Sequence, residues 1–121
     1  MNTAAGEKEI KLGERTYVLR PSFEALVEME ARTNLSIQTL LQQAASGQLK
    51  ASHTVAVLYA CMKEGLRDGE TIPSFNDFGK ACYLANVINL MHTAGDLVSV
   101  VCTQGREPKK GESAEGEEKK T

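Results

Sequence analysis

The sequence predicts an α+β fold: an N-terminal antiparallel β-hairpin packed on a bundle of four to five α-helices, followed by a disordered polar C-terminal tail. Three observations lead there. Two short segments with apolar residues at alternate positions flank a Gly13-Glu14 turn. The stretches after Ser22, Ser36, Ala51 and Ser74 carry apolar residues at helical spacing. Hydrophobic residues make up 41% of the chain but aromatics only 5%, with no Trp, so the core must be built from Leu, Val, Ile, Ala and Met, a composition that favours helices. At 121 residues the chain reads as one domain, residues 8 to 102, with the tail at 103 to 121.

Met1 to Glu7 is a short polar lead, expected to be mobile. The hairpin spans Lys8 to Leu12 and Arg15 to Arg20. Glycine opens its two-residue turn because a II′ geometry needs positive φ at that position. Arithmetic then sets the register: Leu12 faces Arg15, Ile10 faces Tyr17 and Lys8 faces Leu19. Ile10, Leu12, Tyr17 and Leu19 therefore share one face, which must be covered, and Tyr17 and Leu19 are expected on the first helix. Pro21 ends the ladder and Ser22 caps a helix from Phe23 to about Thr33, stopped at Asn34. Glu30 falls inside that helix's apolar arc. Either it turns outward at the rim or it pairs with Arg15 or Arg20 of the hairpin; the pairing is the sharper expectation, with Glu30→Gln costing more than Glu28→Gln.

Ser36 caps a second helix, Ile37 to Ala45, which Gly47 ends. The third runs from about His53 to Arg67 and contains eight successive apolar residues, Val55 to Met62. Such a run is buried all round or lends one side to a partner. The fourth is short, Ser74 to about Ala81, with Phe75 and Phe78 on one side. The fifth spans about Cys82 to Cys102, and Gly95 is a candidate break. Asn86, Asn89, His92, Thr93, Asp96 and Ser99 form one narrow polar stripe along it, which argues against a membrane span. The arc opposite is wider than one neighbour can cover, so Leu97, Val98, Val100 and Val101, next to the tail, are expected to form an exposed partner-binding patch.

Chemistry is hard to find in this chain. His53 and His92 have no ligand spacing, and no carboxylate pair, phosphate loop or nucleophile motif is present, so no catalytic residue, metal site or cofactor is expected. Cys61, Cys82 and Cys102 read as buried thiols in a reducing compartment. The net charge is −2 with no basic stripe, which disfavours nucleic acid and a helix-turn-helix regulator. The chain is not expected to be an enzyme.

One stretch carries a family resemblance. The hairpin Leu12-Gly13-Glu14-Arg15-Thr16-Tyr17-Val18-Leu19-Arg20-Pro21, followed at once by Ser22-Phe23-Glu24-Ala25-Leu26 and a Thr33-Asn34 helix stop, resembles the small tail assembly chaperones of long-tailed bacteriophages, the group that includes a gene transfer agent tail protein. Asn34 replaces the Gly usual there and serves the same left-handed stop. The resemblance implies a chaperone that binds apolar stretches of the tape measure protein, with the tail tube protein and self-association as further partners. It implies a location in the host bacterial cytoplasm and absence from the mature virion. The alternative it leaves open is a structural tail tube or connector subunit retained in the particle.

Overall fold

In the computed structural model, which describes residues 6–103, Gly13 takes φ +65 while Glu14 stays at negative φ, so the chain reverses through the turn that a Gly-first pair demands. Strand β1 (Lys8–Leu12) pairs antiparallel with β2 (Arg15–Leu19), with Lys8 opposite Leu19, Ile10 opposite Tyr17 and Leu12 opposite Arg15. Ile10, Leu12, Tyr17 and Leu19 are all buried, as a two-stranded ribbon with one apolar face requires. Their cover differs from the expectation. The ribbon lies chiefly on helix α3 (Ala51–Glu64) rather than on α1 (Phe23–Thr33), and Tyr17 meets the edge of Phe78 with ring centroids 5.4 Å apart.

Caps fix the helix starts. Ser22 accepts from the Ala25 N–H to open α1, and Ser36 accepts from the Thr39 N–H to open α2 (Ile37–Ala45). Between them Asn34 sits in the left-handed region at φ 59, its N–H donating to the Glu30 carbonyl. Glu30 corrects the predicted ion pair. Its Oε2 accepts from the Ile37 N–H at 2.8 Å, so the carboxylate caps the next helix. The arginines are engaged elsewhere: Arg15 donates to the Thr71 carbonyl at 2.9 Å, and Arg20 to Glu7 at 2.6 Å. A double-mutant cycle between Glu30 and Arg20, read by urea unfolding, should therefore give a coupling within about 0.3 kcal/mol of zero, whereas Arg20 and Glu7 should couple by about 0.5–1 kcal/mol.

Helix α3 is the centre of the fold. Its nine successive residues Thr54 to Met62 are all buried, so the apolar run is covered on every side, by β2, α1, α4 (Phe75–Leu84) and α5 (Val87–Cys102). At its C-terminal end the Arg20 N–H donates to the Cys61 carbonyl at 2.9 Å, and Gly65 lies so close to β2 that a Cβ there would collide with the Val18 carbonyl oxygen. Tyr59 gathers the other rings: Phe75 and Phe78 stand edge-on to it at 5.3 and 5.5 Å, and the Arg32 guanidinium lies 4.7 Å from both the Tyr59 and Phe75 centroids.

Glu28 ties this face together through Arg32 at 2.7 Å and Lys63 at 2.9 Å. Burial alone would raise its pKa, but the hydrogen bonds from those two cations outweigh it and hold the carboxyl below its ordinary 4.5. A depressed folded pKa means stability that is present above pH 4.5 and lost as pH falls through the folded value. Acid titration of unfolding free energy should show that loss in wild type, by less than about 1 kcal/mol, and a smaller one in Glu28→Gln.

The junction predicted between Ala81 and Cys82 lies further along the chain: Cys82 to Leu84 finish α4, and α5 starts at Val87. Asn86 adopts φ 74, its side chain accepts from the Ile88 N–H, and α4 and α5 meet there with a bend of 118°. Gly95 does not break α5; its missing side chain lets α2 approach, since a Cβ there would stand 3.4 Å from Ala44 Cβ. Gly6 and Glu7 are also part of the packed body. Gly6 sits against Val100 at positive φ, and the Glu7 carboxylate is nearly buried beneath Arg20. The remainder of the predicted mobile lead, and the predicted disordered tail from 104 on, lie outside the described residues.

Candidate interaction surfaces

The residues predicted to form an open patch on α5 are in the core. Leu97 and Val98 are 0% exposed, Val100 4% and Val101 7%, because α3 and α2 cover the inner arc of α5 and Gly6 closes over Val100. Apart from Ile72 in the loop before α4, the exposed large apolar side chains of the described residues lie in two other places.

One is the corner where α4 turns into α5. Tyr83 and Leu84 in the last turn of α4 are 75% and 84% exposed, and Ile88 in the first turn of α5 is 71% exposed. They point outward for a readable reason. Phe78 and Cys82, with Phe75 partly buried beside them, form the inner stripe of α4, and on a helical wheel Tyr83 and Leu84 lie about 100° or more from its centre. Ile88 is similarly about 120° from Ala94 on the inner arc of α5. The 118° bend makes the corner convex. Lys80, one turn before Leu84, shares its face.

The other is concave and surrounds Phe23, which is 72% exposed. A cleft of about 760 Å³ is lined by Pro21, Phe23, Leu26, Ile37, Leu41, Val101 and Cys102, where the start of α1, the start of α2 and the end of α5 converge. On the far side of Phe23 a shallower cleft of about 560 Å³ includes Glu24, Val27 and Lys63. Neither Glu24 nor Lys80 forms an ion pair among the described residues. Of the six aromatic residues, four make the cluster around Tyr59; the other two, Phe23 and Tyr83, are the exposed ones, one on each surface. Exposed aromatics of this size are what interface hot spots are built from, and burying each contributes about 1.5–3 kcal/mol.

Nothing comparable exists for chemistry. Burial pushes the Cys82 thiol up to about 11, raises Cys61 and Cys102 as well, and thereby suppresses the nucleophilic thiolate of each. No group of three or more His, Cys, Asp or Glu among the described residues could hold a metal ion. No single helix among them is long and apolar enough to cross a membrane.

A family model described as phage tail tube protein, GTA-gp10, matches residues 5–103. The chain belongs to this family. It is thus a phage tail protein, and the match takes in every strand and helix described above. No curated protein and no solved structure matched. Membership overturns the chaperone reading drawn from the hairpin motif, because the family is that of a tail tube protein and supports the structural alternative. The expected absence from the mature virion, with residence in the host cytoplasm, falls for the same reason.

Sequence reasoning missed the α4–α5 corner because it drew one helix through Cys82 to Cys102. With the break placed at Asn86, the wheel of α4 alone sets Tyr83 and Leu84 outside the stripe.

Proposed function

We propose that the chain is a structural, non-catalytic subunit of a phage-type tail tube, retained in the particle and joined to further copies of itself through apolar surface. The observation that carries this reading is the family match over residues 5–103. The two uncovered apolar surfaces support it, since a subunit that polymerises must leave unburied in the monomer what the assembly covers. A tube subunit needs no pocket chemistry. It needs a rigid body and area to bury, and the all-round burial of α3 with nearly every helix start capped by a side chain supplies the first.

Association by such surfaces is driven by removal of apolar area from water, with charged groups at the rim setting orientation and encounter rate. The tape measure protein remains a further partner under this reading, met by a tube wall in place. Immunogold labelling of purified particles with an antibody against this chain tests the proposal. Gold should decorate tails along their length; unlabelled tails from a lysate that contains the chain would defeat it.

A further inference from the structure

From Lys8 back to Gly6, the chain advances along α5 toward that helix's C-terminal end. Lys8 Nζ lies 3.5 Å from Asp96, whereas Gly6 packs on Val100, one helical turn further on. On its other side the same segment continues the hairpin: Lys8 stands opposite Leu19, and the Glu7 carboxylate pairs with Arg20 at 2.6 Å. One more step in that register sets Gly6 level with Pro21. Pro21 and Val101, the neighbour of Val100, are two walls of the cleft beside Phe23. Gly6 is itself buried, and its φ of +80 turns the backbone there. Residues 1–5 thus set out from the edge of an apolar cleft.

We infer that residues 1–5 cover this cleft within their own chain, with Met1 seated against Leu26, Ile37 and Leu41. Length allows it. Five residues span at most about 17 Å when extended, more than the roughly 11 Å of two turns of α5. Chemistry chooses this segment over the other end of the chain. Met1-Asn2-Thr3-Ala4-Ala5 has no charge to desolvate, and an unbranched thioether adapts to an irregular cleft. Residues 104–121 also start beside the cleft, after Cys102 and Thr103, but contain no Leu, Ile, Val, Met, Phe or Tyr to fill it. A tethered segment also meets the cleft at a high effective concentration, which a diffusing competitor must overcome. In the free chain the cover closes the concave one of the two apolar surfaces, and an apolar group brought there by assembly must first displace it. That consequence rests on the reading of the chain as a tube subunit; the cover itself does not.

Cys102 reports on the cover, because its thiol lines the cleft and is only partly buried, whereas Cys61 and Cys82 are 0% exposed. The experiment follows alkylation of each cysteine by iodoacetamide, peptide by peptide, with mass spectrometry. Three proteins are compared: the full chain, a chain lacking residues 1–5, and the full chain with Ala4→Asp and Ala5→Asp. All three keep Gly6, Glu7 and Lys8, which anchor the segment to the body. Cys102 should react at least fivefold faster in both variants than in the full chain, while Cys61 and Cys82 stay slow throughout. Equal Cys102 rates in the three proteins would overturn the cover. Acceleration shared by Cys61 and Cys82 would also overturn it, by showing loosened packing in place of an opened cleft. So would a full-chain Cys102 rate that falls as protein concentration rises, which would place the covering group on another copy. Immunogold labelling of particles depends on none of these rates, so the cover can fail while the tube-subunit reading stands, and the reverse.

Discussion

Val98→Asp is expected to unfold the protein rather than merely disable a binding surface. Val98 is fully buried in α5, the helix that packs on α3 and α2, so the change removes about 1.5–3 kcal/mol of apolar burial and places a carboxylate in the apolar core. Together these cost about 4 kcal/mol or more, a large share of the 5–15 kcal/mol that holds a typical domain of this size. Thermal melts followed by circular dichroism should show no cooperative transition, or one lowered by many degrees. A Val98→Asp protein with a wild-type melt and a lost assembly activity would return the end of α5 to the surface and contradict the packing described here.

A pair of identical substitutions should move stability in opposite directions. Gly65→Ala drives a methyl group into the Val18 carbonyl oxygen where α3 ends against β2, and since the obstacle is backbone the strand must shift; about 2–3 kcal/mol should be lost. Gly79→Ala, inside α4, meets only Val55 Cγ1 at 3.5 Å, an ordinary contact, and should gain about 0.5–1 kcal/mol from helix propensity. Urea midpoints of the two variants against wild type measure both. Similar effects of the two changes would mean that the junction of α3 and β2 is not as tight as described.

Much of this fold was legible where one residue type leaves the backbone little choice. Gly13 dictates the turn, the turn dictates the register, and period two then names Ile10, Leu12, Tyr17 and Leu19 as the buried face. Ser22 and Ser36 locate the starts of α1 and α2 to the residue, because a hydroxyl followed by an amphipathic run has few other readings. The α4–α5 junction was hidden for the converse reason. Ala81 to Met91 is mostly apolar, and the break falls at Asn86 in the left-handed region, while Gly95, the better breaker by type, stays helical because α2 packs against it. With the boundary set at Ala81, Tyr83 and Leu84 were counted with the fifth helix instead of the fourth.

Glu30 failed differently. Nearness in sequence favoured the hairpin arginines, but a carboxylate one turn from a helix end also reaches the free N–H groups of the next helix when the linker is short, and Asn34 to Ser36 is short. No periodicity reports such a bond. Function was legible in part: the hairpin and its following helix pointed to phage tails, whereas the chaperone reading drawn from that one motif was overturned by the family match over residues 5–103.

The central claim is that this chain is built into the tail. Quantitative mass spectrometry of purified particles, with isotope-labelled peptides of this chain and of the other tail proteins as standards, tests it most directly. A structural subunit should be found in many copies per particle, in fixed ratio to the other tail proteins and unchanged by further purification. Its presence in the lysate where tails are assembled, together with its absence from the finished particles, would contradict the account.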